Sequence, residues 1–370
     1  MKIVFWVAFT GVFYAYFGYA AFLVLYAKFH PRPIAVASRT PRVSIIMAVC
    51  NEESNLVTKL ENLRLLDYPS DKLEIVVASD GSTDQTVSIL QKHTPAVVPV
   101  ILDTRQGKAI ALNAAVAKAT GEILVFLDAR QTVEVNAIAE LALPFADPNV
   151  GAASGELLLE AAAGTTATEA LGIYWKIEKF VRKLESATGS VVGATGAIYA
   201  VRRSLYTPIP QGTILDDVFV PMHVVLQGKR VVFQSSARAH DKIFANDGKE
   251  FARKVRTLAG NYQLIQLAPW ILSFRNPLLF RFISHKCMRL IVPALLVVML
   301  VTSAAVPSSL YHSIFFLQVA FYLLAGLGVL IPSCRNWKPV SISRTFVVLN
   351  MAAVLAFYNF ISGKTAVWNR

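Results

Sequence analysis

Four short stretches carry most of the residues able to do chemistry. Glu52 and Glu53 follow the apolar run 43–49, and Asp80 opens the turn Asp80-Gly-Ser-Thr-Asp84 after the run 73–79. Asp128-Ala129-Arg130 follows the run 122–127, and the pair Asp216-Asp217 follows Gly212-Thr-Ile-Leu215. Asp and Asn also cap helices, and Asp84 fits that plainer role. Three acids at one edge exceed what capping asks for. Carboxylates accept hydrogen bonds from nucleobase N–H groups and ribose hydroxyls, whereas a diphosphate calls for a metal cation or basic donors. The segment Arg105-Gln-Gly-Lys108 enters a helix and supplies the second kind of group, since an ammonium and a helix N-terminus both favour negative charge. A nucleotide-sugar suits the whole set; a solvated basic loop is the alternative reading of 105–108.

These residues need elements to position them. Residues 43–49, 73–79, 99–102 and 122–127 read as strands, and 55–66, 84–92 and 109–119 have helical spacing. Short strands alternating with helices predict an α/β domain with a mostly parallel sheet, whose ligands sit at the carboxyl ends of its strands. Those ends are where the acids fall.

Around this domain the composition changes. The chain has 370 residues, 55% hydrophobic and 16% charged, with a net charge of +12; its mean hydropathy is +0.49. All 24 acidic residues lie within residues 1–250, which also hold 24 of the 36 Lys and Arg, so the whole surplus comes from beyond residue 250. A neutral part joined to an apolar, acid-free, basic part excludes disorder, a collagen-like repeat and a soluble nucleic-acid binder. Cys50, Cys287 and Cys334 lack paired spacing, which argues against a disulfide framework or a zinc site. Residues 3–27 are uncharged and long enough to cross a bilayer, and Lys28, Arg32, Arg39 and Arg42 place the downstream side in the cytosol. Runs 290–306, 313–331 and 345–361 read as three more spans. Between domain and spans, residues 268–286 mix Trp and Phe with Arg275, Arg281, His285 and Lys286, as a helix in the interface plane facing anionic lipid would. The expected divisions are 1–30, 31–265, 266–289 and 290–370. Four spans put Lys364 and Arg370 outside, against the positive-inside rule.

The motifs together resemble glycosyltransferase family 2. The resemblance rests on Val43-Ser-Ile-Ile-Met-Ala-Val-Cys-Asn-Glu-Glu53, Ser79-Asp-Gly-Ser-Thr-Asp84, Gly107-Lys-Ala-Ile-Ala-Leu-Asn-Ala114 and Gly121-Glu-Ile-Leu-Val-Phe-Leu-Asp-Ala129. Weaker similarity continues through Gly193-Ala-Thr-Gly196, Leu215-Asp-Asp217 and Arg253-Lys-Val-Arg256. The arrangement of spans is similar to that of membrane synthases of chitin, hyaluronan, cellulose or poly-N-acetylglucosamine. Such a resemblance implies a GT-A fold inserted between one leading and three trailing spans of the cytoplasmic membrane, a nucleotide-sugar donor, usually UDP-linked, and inversion at the anomeric carbon. It implies donor-binding roles for Glu52, Asp80, Lys108, Asp128, Arg130, Arg253 and Arg256. Gly193, Thr195, Gly196 and Asp216 fall on the acceptor side, and Asp217 matches the general base. Inversion needs one carboxylate to take the acceptor hydroxyl's proton.

Two positions depart from the family pattern. The second acid of the Asp-x-Asp motif, normally a ligand of Mg²⁺ or Mn²⁺, is Arg130, and a guanidinium cannot ligate a metal. Either Asp128 holds the cation with help from His240 or Asp241, or Arg130 itself neutralises part of the diphosphate. The Gln-x-x-Arg-Trp motif ends here in Arg256-Thr257, without the flat apolar face on which a sugar stacks. Polymer synthesis with coupled export therefore stands beside single transfer to a lipid acceptor, and a non-catalytic sensor is a third reading that rests on Arg130 alone. A channel of four spans would call for an oligomer or an export partner.

Overall fold

The uncharged N-terminal run folds as α1 (Lys2–Phe29), and the next regular element, β1 (Val43–Val49), is buried at every position. The computed structural model describes residues 1–37, 39–160, 167–242, 247–335 and 337–363, so Lys364 and Arg370 lie outside the described residues. β1 pairs in parallel with β2 (Leu73–Asp80), and β2 with β3 (Val98–Leu102). The chain then returns to the other side of β1 as β4 (Ile123–Leu127), also parallel. That reversal leaves a crevice at the carboxyl ends of β1 and β4, the usual ligand position of such sheets.

Between these strands run α2 (Glu53–Arg64), α3 (Thr86–Lys92) and α4 (Lys108–Lys118). The sheet continues through β5 (Thr132–Val133), β6 (Val150–Glu160), β7 (Ile198–Arg202) and β8 (Arg230–Lys242), in the order β3-β2-β1-β4-β7-β6-β8-β5. β7 is antiparallel to both β4 and β6, while β6 and β8 are parallel. Leu56, Leu60 and Leu63 of α2 repeat at helical spacing and cover one face with Ile138 and Leu141 of α5 (Ala137–Ala142). Leu112 and Ala115 of α4 cover the other, with Met222 and Val224 of α7 (Asp216–Leu226). The expected α/β architecture is present.

Two long helices, α6 (Ala167–Ala187) and α8 (Asp247–Leu267), connect this domain to the apolar helices α9 (Leu279–Ala305), α10 (Ser309–Leu330) and α11 (Lys338–Ile361). Among the described residues, α1, α9, α10 and α11 are long and apolar enough to cross a membrane. Val255 and Ala259 of α8 bury themselves against Ala352 and Ala356 of α11, and Tyr262 meets the rings of Phe357 and Phe360 at 5.5 and 5.4 Å.

The segment expected to lie in the interface plane folds differently. After α8 a short turn at Pro269–Leu272 leads to α9, which begins at Leu279 and runs unbroken through the apolar stretch. Its basic side chains face protein. Arg281 donates to the carbonyls of Glu185, Thr188 and Ser190, and His285 is buried between Glu178 and Glu185 of α6. Acids supplied by another helix offset those charges, and spacing along one segment does not reveal such partners.

Candidate active site

The turns after β1 and β2 are laced into one unit. Asn51, in the left-handed region at φ +54°, accepts the Thr83 N–H through Oδ1 at 2.8 Å. Asp84 accepts the Thr86 N–H at 2.9 Å and the Glu53 N–H at 3.1 Å, serving the first turns of both α2 and α3. Burial pushes its carboxyl up, but these hydrogen bonds prevail and hold it below the usual range. Asp84 therefore has the capping role expected of it. Glu52 stays half-exposed at the mouth, where its Oε2 accepts from Asn55 at 2.7 Å.

Asp80 is fully buried, and its two oxygens accept the N–H groups of Gln106 at 2.6 Å and Gly107 at 2.9 Å. The resemblance gives it a donor-binding role; in this geometry it also shapes the loop that presents Lys108. Gly81 permits this approach, since at φ +59° a Cβ there would stand 2.4 Å from the Arg105 nitrogen.

Lys108 is the first residue of α4, and its Nζ lies 3.1 Å from Asp128 Oδ1 and 3.2 Å from Asp216 Oδ1. One ammonium thus ties the end of β4 to the start of α7. Asp217 accepts the Gly196 N–H at 2.9 Å, and Gly196 also stands beside Asp128: a Cβ there would lie 3.4 Å from Asp217 Oδ2 and 3.8 Å from Asp128 Oδ2. Glycine keeps the space between the two carboxylates open. Burial, then the like charge of Asp216, pushes the Asp217 carboxyl up to about 6, against the opposing pull of Lys108, Lys286 and Arg182. A largely buried carboxylate tuned near neutrality has the chemistry of a general base. Thr195 donates its N–H to Ser154 Oγ at 3.1 Å, which anchors the same loop. Gly193, at φ +86°, leaves room for Val218 at the start of α7.

Arg130 forms an ion pair with Asp241, which is 4% exposed and also accepts from Gln131 Nε2 at 3.1 Å. Arg253 reaches the same carboxylate at 3.8 Å and Glu250 at 2.9 Å. Arg256 is exposed on α8 and is not brought to this corner. His240 is not brought to Asp128 either. Its ring nitrogens face Glu160 at 2.9 Å and Glu134 at 3.3 Å, because neighbouring residues of a strand point to opposite faces. Among the described residues, no three His, Cys, Asp or Glu side chains gather to hold a metal ion. Asp128, the one motif acid, is shared with Lys108, so the donor set does not fit a resident divalent cation.

The family model described as Glycosyl transferase family 2 matches residues 44–208. Residues 44–208 are thus similar to a glycosyltransferase family 2 domain. An N-acetylglucosaminyltransferase of Azorhizobium caulinodans is 29% identical over 176 residues, 46% of this chain and 44% of the relative. A poly-beta-1,6-N-acetyl-D-glucosamine synthase of Staphylococcus aureus is 23% identical over 229 residues, 60% of this chain and 55% of the relative. The chain spans about half the length of the curated relatives it matches. The solved mannosyltransferase PcManGT of Pyrobaculum calidifontis, in complex with GDP-Man and Mn²⁺, has a TM-score of 0.75 at 24% identity, covering 98% of this chain and 99% of that one. It shares the fold, a GT-A-like α/β domain flanked by apolar helices.

Several residues that hold the domain in shape have no motif. The side-chain amide of Gln263 on α8 accepts the Ile214 N–H and donates to the Gly212 carbonyl, both at 2.9 Å, fixing the approach to Asp216-Asp217. Gly260 lets α8 come this close, since a Cβ there would lie 2.6 Å from Leu215 Cγ. Lys59 is buried on the apolar face of α2 and donates to the Gln131 carbonyl at 2.7 Å, beneath the Asp128–Gln131 turn. Burial pushes its ammonium down to about 8, with Asp128 opposing. A lysine at the helical spacing of Leu56, Leu60 and Leu63 is the one signal that sequence offered for it.

Proposed function

We propose that the chain is an inverting membrane glycosyltransferase that moves a sugar from a nucleotide-sugar donor to a hydroxyl of a carbohydrate acceptor, its catalytic domain in the cytosol. The observation that carries this reading is Asp217: a carboxylate raised to about 6, held by Gly196 and separated from Asp128 only by that glycine. The acceptor oxygen attacks the anomeric carbon as its proton passes to Asp217. The bond from that carbon to the diphosphate oxygen breaks on the opposite face, and its electron pair leaves with the nucleoside diphosphate. Lys108 lies where it can meet the departing charge. The named relatives support N-acetylglucosamine as the donor sugar and an oligosaccharide or polysaccharide as product.

A second reading, single transfer to a lipid acceptor, is favoured by Thr257. It is exposed on α8 and offers no aromatic face at the position where the family carries tryptophan. One experiment separates the two. The chain in nanodiscs is incubated with UDP- and GDP-sugars beside the Asp217→Asn variant, and products are resolved by mass. A ladder of oligosaccharides supports chain extension and a single lipid adduct supports the second reading. No turnover with any donor sinks both.

A further inference from the structure

We propose that this chain neutralises the donor diphosphate with its own side chains, Lys108, Arg130 and Arg253, and needs no resident divalent cation. The proposal rests on the nucleotide-sugar reading and concerns the same crevice. Where the family motif carries a second carboxylate, this chain carries Arg130. Exchanging a group of charge −1 for one of charge +1 changes the local charge by about two units, the charge that one Mg²⁺ or Mn²⁺ ion would bring. The substitution removes a metal ligand and supplies the missing charge in a single step.

Surrounding residues are arranged to match. Asp241 is nearly fully buried and takes Arg130 and Arg253 on one carboxylate, with the Gln131 amide beside them. A buried acid under two guanidiniums orients both, and Glu250 also holds Arg253 at 2.9 Å. Each arginine side chain keeps 27% of its surface exposed, and Arg130 lies two residues beyond Asp128 in the turn after β4. Lys108 meets the crevice at the N-terminus of α4, where backbone N–H groups also favour an anion. A guanidinium fork matches phosphate oxygens geometrically. A cation added at Asp128 would stand against an ammonium already 3.1 Å from that carboxylate. The ligands a metal would borrow elsewhere are engaged: His240 with Glu134 and Glu160, Asp241 with the two arginines.

The test is calorimetric binding of UDP-N-acetylglucosamine, GDP-mannose and the corresponding nucleosides to the full chain in nanodiscs, with Mn²⁺ or with chelator. Paramagnetic resonance reports whether Mn²⁺ is retained with the nucleotide. Wild-type affinity for the preferred donor should agree within about twofold in the two buffers, with no retained Mn²⁺. Arg130→Gln should weaken the nucleotide-sugar tenfold or more and leave the nucleoside unchanged, and Arg130→Lys should recover part of the loss. Arg130→Asp should create a Mn²⁺ requirement; thermal unfolding of each variant identifies any that fails to fold. The proposal is overturned if wild-type affinity collapses in chelator, or if a folded Arg130→Gln binds like wild type. Binding of no donor in either buffer overturns the nucleotide-sugar reading and this proposal with it.

Discussion

The Lys108 ammonium stands 3.2 Å from the Asp216 carboxylate, so the first residue of α4 touches the first residue of α7. Two helix N-termini 108 residues apart in sequence are thereby closed around one crevice. The acid of the pair leaves its neighbour, Asp217, to face Gly196.

Asp217→Asn should lower the transfer rate by about 10²–10⁴-fold, the usual worth of a general base. Donor affinity measured by calorimetry should stay within about threefold of wild type. A parallel loss of donor binding would count against the assignment.

The pH dependence follows from the raised Asp217 carboxyl. The base works ionised, so activity should fall as pH drops through about 6, and the apparent value belongs to the Asp216–Asp217 pair. Asp216→Asn removes the like charge and should shift that acidic limb to lower pH. A limb that stays fixed, or moves upward, would exclude Asp216 as the cause.

Gln263→Leu removes two hydrogen bonds from the 212–215 approach. Each is worth about 1 kcal/mol, so unfolding should shift modestly while kcat falls by about tenfold. KM for the donor should not change, since Gln263 touches only the segment leading to the acid pair.

Glu178 is held well below the usual carboxylate range: burial raises it, but His285, Arg289 and Arg182 outweigh that cost. Its stabilising contribution is complete above the ordinary glutamate value and is lost only as pH falls through the depressed one. Glu178→Leu would leave Arg182, Arg289 and the buried His285 without their shared acceptor, a change costing about 3–5 kcal/mol. A melting temperature within a degree of wild type in nanodiscs would refute this.

Gly81→Ala would press a methyl group against the Arg105 backbone, in a conformation L-residues rarely adopt. A cost of about 2–4 kcal/mol is expected, with loss of the loop that presents Lys108. Thermal unfolding with and without nucleotide measures both effects.

The first half of the domain was legible because its signals are local. The runs 43–49 and 73–79 end in Asn-Glu and Asp-Gly turns, and the strands form where apolar spacing placed them. The antiparallel β7 and the β6–β8 pairing depend on which distant segments meet, and no spacing within one segment encodes that. The site divides in the same way. Asp128 and Asp217 stand in motifs, whereas Asp241 reaches Arg130 across 111 residues and Gln263 reaches Ile214 across 49. Arg281 and His285 follow the same logic: basic residues before an apolar run suit lipid headgroups, and the folded α6 supplies Glu185 and Glu178 as their partners.

Because α8 rests on α11 through Val255 and Ala259 while its Gln263 steadies the segment before the acid pair, α11 is linked to that pair through packing. A fragment cut before residue 338 would retain Glu52, Lys108, Asp128 and Arg130, and would still bare the apolar side of α8. Such a fragment would report faithfully on donor recognition and misleadingly on turnover. On the proposed reading α11 belongs to the scaffolding of the acid pair, and removing it should lower turnover before it melts the sheet.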